Sequence, residues 1–411
     1  MQESKNTTKG KPFADPVTEE DVKVVVKRAL GCNAKIVNFQ LRSYSEEKLG
    51  FLGSHRHLVV TIRRDDTEEK EIHTFFVKSV PYDIEIQASV IEDCRAFFKE
   101  THFYKHMVAE LLGSVKDKSW IAQCYLVKDD VLIFEDLKSK NFALKDHFLD
   151  LQGFKSGLTA LANLHASSVL AEKRLGKTFN ELYPELVKES LFDKKVKFFA
   201  WYQSGVDLAC NLVTHFGFDA TKIPQICDKA FEKFKASEKW RNVVCHGDLK
   251  SFNLMFDNSC AVPKCVIVDF QLLRYCPAMV DVSQMLYLAT RREFRERYET
   301  ELLKHYHEVF CTNLRENDAE IALPTFQEIL QEFTDMRVVG VVTANLYFPT
   351  QHLDGKRCAE LTSTSDGFNQ LLFGNRVKLV LDTMKEDQYF NEIITEITME
   401  LIRRSQEFLQ L

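Results

Sequence analysis

Two short stretches restrict this chain more than anything else in it: Val244-Cys245-His246-Gly247-Asp248-Leu249-Lys250-Ser251-Phe252-Asn253, and then Val266-Ile267-Val268-Asp269-Phe270-Gln271. Each opens on a short apolar run and then delivers a carboxylate, as a buried strand does when it ends at a polar site. A charge at the end of an apolar strand needs a partner. Gly-Asp pairs also occur in plain turns. The strand before Asp248, the Asn253 that follows it and the strand-end Asp269 make a more specific set than the pair alone.

Length and composition frame that set. At 411 residues the chain is long for one core, so two lobes are expected. Its net charge of −6 argues against a nucleic-acid partner. Residues 1–20 are polar and lack the apolar core of a signal peptide. The run Val338 to Phe348 is interrupted by Thr343 and Asn345 and is too short to span a bilayer. The 11 cysteines are scattered and form no C-x-x-C pair, so reduced thiols and no zinc site are expected. The expected location is the cytoplasm, with no membrane partner; the oligomeric state is left open.

Residues 1–17 read as a flexible start. Thr18-Glu19-Glu20-Asp21 is a capping box for a helix running to about Leu30, stopped by Gly31. Strands are predicted over Ile36–Tyr44, His57–Ile62 and Ile72–Val80, then one helix from Ile91 to Leu112, then strands over Ile121–Val127 and Val131–Phe134. Beyond about residue 137 helical spacing dominates, in Leu158–Ala166 and near 185–235, 280–311, 324–347 and 388–409. The exception is the β-rich stretch Val243–Val268 that carries the motif. The expected fold class is therefore α+β and two-lobed, with a small β-rich N-terminal lobe (1–136) and a large, mostly helical C-terminal lobe (137–411).

An Asp, an Asn five residues later and a strand-end Asp are the working parts of a kinase-type phosphoryl-transfer site. In that chemistry Asp248 orients the acceptor hydroxyl and takes its proton. Asn253 and Asp269 offer Mg²⁺ the oxygen ligands it prefers, with ATP phosphates and water supplying the rest. Lys250 is either a solvated loop lysine or a contact to the transferred phosphoryl group. His246 reads as a hydrogen-bonded structural residue of the loop.

The lysine expected on the nucleotide is Lys78, which closes the strand Thr74-Phe75-Phe76-Val77-Lys78. Glu100 shares a helical stripe with Ala96, Phe97, Phe103 and Tyr104, where a lone carboxylate is costly. A Lys78–Glu100 ion pair removes that cost, with Glu92 and Glu110 as substitutes. Gly50 and Gly53, in Leu49–Ser54, either cover phosphates or form a plain hairpin turn. Glu135 and Leu137, in Phe134-Glu135-Asp136-Leu137, either offer backbone groups to adenine or merely link a strand to a helix.

At these residues the chain resembles the ecdysteroid kinase-like family, also called CHK kinase-like. That family stands with the choline kinases and aminoglycoside phosphotransferases in the protein-kinase-like fold. The resemblance runs from about Phe39 to about Phe390. It is carried by Gly50–Gly53, Phe76–Pro81, Glu100–Tyr104, Phe134–Leu137, Leu161–Ala166, His246–Leu249, Asn253–Phe256 and Val268–Gln271. It implies that Asp248 is the base, that Asn253 and Asp269 bind Mg²⁺, and that Lys78 with Glu100 positions ATP. It also implies a small-molecule alcohol as acceptor, an ecdysteroid being the single best choice. Two positions depart from the family: Lys250 stands where a Trp is common, and Phe252 where an Asn is common. The loop therefore also resembles that of serine/threonine protein kinases, with Gly247 in place of Arg. A protein kinase, a choline-type kinase and an ATP-binding regulatory protein without turnover are the alternatives. The short segment after Asp269, with no Ala-Pro-Glu, argues against a protein substrate. Trp201, Tyr202, Phe333, Tyr347 and Phe348 are either ordinary core or the lining of an apolar acceptor pocket.

Overall fold

The computed structural model describes residues 15–44, 53–65, 67–189, 191, 194, 196 and 198–410. Helix α1 (Glu19–Leu30) begins at the predicted capping box. The Thr18 hydroxyl accepts from the Asp21 N–H at 3.2 Å, and the Asp21 carboxylate accepts from the Thr18 N–H at 2.8 Å. Strands β1 (Ala34–Ser43), β2 (Ser54–Arg64) and β3 (Lys70–Ser79) cover the three predicted runs. With β4 (Cys124–Val127) and β5 (Val131–Glu135) they form an antiparallel sheet of order β1-β2-β3-β5-β4. Strand alternation puts Leu58, Val60 and Ile62 on one face. There they pack with Val77, Ile133 and the α1 residues Val22, Val25 and Val26 in a small separate core.

The single helix expected over Ile91–Leu112 is not formed. The segment divides into α2 (Glu85–Asp93), α3 (Ala96–His102), a π-helical turn at Phe103–Met107 and α4 (Val108–Leu112). The break falls at Arg95, which is left-handed at φ 57°. Its guanidinium lies 4.1 Å from the centre of the Phe98 ring and pairs with Glu185 at 3.1 Å. Contacts distant in sequence thus override the helical period. The π turn, a feature common at functional sites, brings Phe103 into a stack on Phe270 at 4.3 Å and Tyr104 against Phe134 at 4.9 Å.

The remainder is largely helical. Strand β6 (Phe142–Leu144) leads to α5 (Leu151–Leu175), capped by Asp150 and stopped by Gly176. Then come α6 (Phe179–Leu182), α7 (Pro184–Val187), α8 (Phe199–His215) and α9 (Ile223–Glu232). The motif region supplies β7 (Asn242–Cys245), β8 (Leu254–Asp257), β9 (Lys264–Ile267) and β10 (Arg274–Pro277), paired as β10-β7 and β6-β8-β9. After it come α10 (Met279–Leu288), α11 (Arg292–Asn317) and α12 (Phe326–Gln351). The chain closes with α13 (Gly355–Thr362), α14 (Ser365–Leu372), α15 (Arg376–Glu386) and α16 (Gln388–Gln410).

Every residue of α10 is buried. It is crossed by α12 at Gly340, where a Cβ would come within 2.5 Å of the Ser283 carbonyl oxygen, so only glycine permits the approach. All 11 cysteines are free thiols. Among the described residues no helix is long and apolar enough to cross a membrane.

Candidate active site

Lys78, at the end of β3, and Glu100, on α3, meet at 2.6 Å, and Lys78 Nζ also donates to Asp269 Oδ1 at 2.6 Å. The second Glu100 oxygen accepts from the Phe270 N–H at 3.2 Å, so one carboxylate ties the sheet to the segment after β9. Burial lowers the affinity of Lys78 for its proton, but Asp269 and Glu100 outweigh burial and hold its pKa above the ordinary value. Burial pushes the pKa of Asp269 up, but Lys78, with Lys250 and His246, keeps it below the ordinary range. For Glu100 burial wins over Lys78 and raises the pKa to about 7. The substitutes are placed elsewhere: Glu92 is exposed and Glu110 pairs with Arg174.

Asp269 itself has φ 72°, a left-handed conformation that Asp tolerates better than most residues. The turn it makes leads into β10, which pairs back on β7 almost at once. Cys245, at the end of β7, is followed by Gly247 with φ 81°. A Cβ there would fall 2.1 Å from the Leu272 carbonyl oxygen, so glycine is required both by conformation and by space.

The loop between them is held from below. Asp281, on α10, accepts from the His246 N–H at 2.6 Å and from the Gly247 N–H at 2.9 Å. His165 of α5 lies 3.3 Å from Asp281 and 2.8 Å from the Tyr306 hydroxyl. Burial pushes the pKa of Asp281 up, but His165, His246 and the Gly247 N–H together bring it below the ordinary range. His246 accepts from the Asp248 N–H at Nδ1, which leaves Nε2 to donate to the Val268 carbonyl at 2.9 Å. It has the structural role its sequence position suggests. Asp281 and Arg274, whose guanidinium donates to the Gly247 carbonyl and pairs with Glu189, were missed in the sequence. A carboxylate inside the apolar run Met279–Leu288 was the available signal.

At the top of the loop Lys250 Nζ reaches Asp248 Oδ2 at 2.7 Å. Asn253 Nδ2 donates to the Asp248 carbonyl at 2.7 Å and to its Oδ2 at 3.2 Å. Asp248 Oδ1 is buried and has no hydrogen-bond partner among the described residues. An unsatisfied buried carboxylate oxygen is costly, and it is an acceptor suited to a hydroxyl. Both Asn253 bonds are made by Nδ2, leaving its Oδ1 oxygen for a ligand, and Asp269 has a second carboxylate oxygen beside the one on Lys78. Two hard oxygen donors of this kind fit Mg²⁺.

The remaining predicted residues sort themselves by place. Gly53 packs on Lys78, where a Cβ would crowd His55 Nε2 at 3.3 Å and Lys78 Cε at 3.4 Å, while Gly50 lies outside the described residues. The Leu137 carbonyl accepts from the Lys140 and Phe142 N–H groups, and the Glu135 carboxylate accepts from the Gln123 N–H and pairs with Lys140. Of the aromatics, Tyr347 lies 5.3 Å from Trp201, and Lys250 Nζ is 5.7 Å from the Tyr347 ring centre. Phe348 packs on His352 at 4.6 Å. Tyr202, by contrast, donates to Asp228 and Phe333 is buried core, so these two are structural.

Comparison with curated protein sequences found no match. Among solved structures, the chain is similar to an ethanolamine kinase of Plasmodium vivax (12% identity, 86% of this chain and 84% of that one, TM-score 0.38). It is similar to a microcompartment-associated aminopropanol kinase (14%, 80% and 94%, TM-score 0.38). It is also similar to an amicoumacin kinase solved with AMP-PNP, Ca²⁺ and its ligand (10%, 88% and 93%, TM-score 0.39). None of these likenesses is strong enough to bear on the acceptor. The family model is decisive: it matches residues 54–318, from β2 to the end of α11, and the chain belongs to the ecdysteroid kinase-like family.

Proposed function

We propose that this chain transfers the terminal phosphoryl group of ATP to a hydroxyl of a small apolar molecule, an ecdysteroid-like alcohol being the acceptor its family implies. The observation that carries the reading is the unpartnered, buried Asp248 Oδ1 beside the Lys78–Glu100–Asp269 cluster. Asp248 accepts the hydroxyl proton as the new oxygen–phosphorus bond forms, and the bond from the terminal phosphorus to the bridging oxygen breaks to release ADP. Lys78, held by Glu100, steadies the α- and β-phosphates. Lys250 offsets charge on the group in transit. Asn253 and Asp269 would hold Mg²⁺, which when bound neutralises phosphate charge. Glu135 and Leu137 offer the base only the backbone groups the chain does not already bond, the Leu137 carbonyl and the Glu135 N–H being taken, and Gly53 keeps a Cβ off Lys78.

The acceptor side is read from the catalytic loop outwards. Phe252 packs edge-on to His147 at 4.7 Å, and His147 lies 4.4 Å from His352. His147 Nδ1, both ring nitrogens of His352 and both amide atoms of Gln351 are buried without partners. Unsatisfied polar atoms gathered among aromatics suit an apolar ligand that carries hydroxyl or carbonyl groups. The segment from Asp269 to α10 is only a short turn and β10, which favours a small acceptor over a protein one.

The test is mass spectrometry of the protein incubated with Mg-ATP and a panel of alcohols rich in ecdysteroids, with Asp248→Asn as control. A phosphorylated alcohol made only by the unaltered protein supports the reading. Bound ATP with no small-molecule product would move it to a protein acceptor or to a nucleotide sensor without turnover.

A further inference from the structure

Three arginines are buried among the described residues, and two of them are paired with carboxylates: Arg274 with Glu189, and Arg295 with Glu400. The third, Arg376, is 1% exposed and is not. Among the described residues its Nε and Nη1 have no hydrogen-bond partner, and its one hydrogen bond is a long 3.4 Å bond from Nη2 to the Trp201 carbonyl. Burial alone pulls its pKa down to about 10, with no acid among the described residues countering it. A guanidinium stays charged over the whole working pH range, so it cannot escape the cost of burial by losing its proton. A buried cation of this kind calls for an anionic partner.

Its surroundings say which anion. Arg376 is the first residue of α15, and its guanidinium reaches across to α8. A Cβ added to Gly205 would come 2.8 Å from Nη2 and 2.7 Å from Leu346. The guanidinium carbon lies 6.0 Å from the Trp201 ring centre, and Trp201 lies 5.3 Å from Tyr347. Tyr347 lies beneath Lys250, which is bonded to Asp248 at 2.7 Å. Arg376 therefore closes the far end of an aromatic wall whose near end is the proposed base. Asp248 and Arg376 do not touch, so neither neutralises the other.

We propose that Arg376 anchors an anionic group of the acceptor, so that the alcohol preferred at the proposed site is an amphipathic one that also carries an acid. A carboxylate accepts from Nε and Nη1, the apolar body lies along Trp201 and Tyr347, and the hydroxyl at the other end meets Asp248. Only this last contact rests on the kinase reading.

The experiment pairs two hydroxy acids, cholate and 12-hydroxydodecanoate, with their methyl esters. Binding is read by thermal shift and titration calorimetry, and transfer from Mg-ATP is read by mass spectrometry. At least one acid is expected to bind tenfold or more tighter than its ester. Arg376→Met should abolish that preference, and Arg376→Lys should keep part of it. Arg376→Met should also melt no lower than the unaltered protein when no ligand is present, since it removes an uncompensated buried charge. Acids and esters binding alike, neither binding, or a lower melting point in Arg376→Met would overturn the inference. Transfer to neutral alcohols with no preference for acids would overturn it and leave the kinase reading standing. Arg376-dependent binding of the acid without any transfer would support it and count against the kinase reading instead.

Discussion

Asp248 and Asp269 are both carboxylates near the end of short strands, yet their surroundings separate them. Asp269 is neutralised by Lys78, whereas Asp248 keeps one oxygen without a partner. Asp248→Asn is therefore expected to leave Mg-AMP-PNP binding within a few-fold while transfer falls by about 10²–10⁴, the usual share of a positioned base. Calorimetry and single-turnover assays on the same preparation check both halves. Asp269→Asn should do the opposite first, weakening Mg-AMP-PNP binding itself.

A third expectation at this scale concerns His352. Burial, with His147 and Arg291 nearby, pulls its pKa down to about 3, whereas the unfolded chain restores about 6.5. Below about 6.5 the unfolded state binds the extra proton and the folded state does not, so stability is lost as pH falls through that window. Urea midpoints should drop between pH 7 and pH 4.5, and drop less in His352→Phe. An equal drop in both proteins would exclude His352 as a source.

At the scale of elements, the loop from Cys245 to Asn253 is not held by its own residues alone. It is suspended from α10 by Asp281, from α5 by His165 through Asp281, and from β10 by Arg274. Gly247 is the point where the suspension meets a left-handed backbone. Gly247→Ala should cost roughly 1–3 kcal/mol for conformation alone, more with the overlap at Leu272, and circular dichroism melts would register it. Asp281→Asn is expected to retain the fold while lowering transfer, because the loop loses an anionic acceptor for two N–H groups. Unchanged transfer in a folded Asp281→Asn protein would show the loop to be fixed without it. The breaking of the predicted Ile91–Leu112 helix belongs to this scale too. The period was helical throughout, but the ion pair of Arg95 with Glu185 and the stack of Phe103 on Phe270 are made with residues far along the chain.

At the scale of the whole molecule, the sheet β1–β5 and α1 share a core that is small and separate from the main one. Few buried apolar groups mean low local stability. Amide exchange in β1 and β2 is expected to be faster than in α5, α10 and α12, and Mg-AMP-PNP should slow it in β3 and β5, where Lys78 and Glu135 lie. Exchange at equal rates in the two regions would count against a weaker sheet. The sheet is tied to the rest of the chain through Lys78, Glu100 and Phe270 and through a third cluster in which Leu132 and Phe134 pack with Met255 and Val266, so an altered Glu100 should make the sheet looser as well as weaken nucleotide binding.

By itself the sequence singled out the candidate site and the elements that carry it. Asp248, Asn253 and Asp269 sit in strands and loops whose period and punctuation are local, and Lys78 with Glu100 could be paired because a carboxylate on an apolar helical stripe demands a cation. The capping box at Thr18 and the split between a strand-rich and a helix-rich part were legible for the same reason, since neighbours within a few residues decide them. Only the tertiary structure decided where the long helix breaks, that Asp281 and Arg274 hold the loop, which aromatics face the site, and that Arg376 is buried without an acid. Those facts depend on which residues the fold brings together across separations of 27 to 175 positions, and neither period nor composition encodes such distances. A buried charge shows its partner, or its lack of one, only when the chain is folded around it.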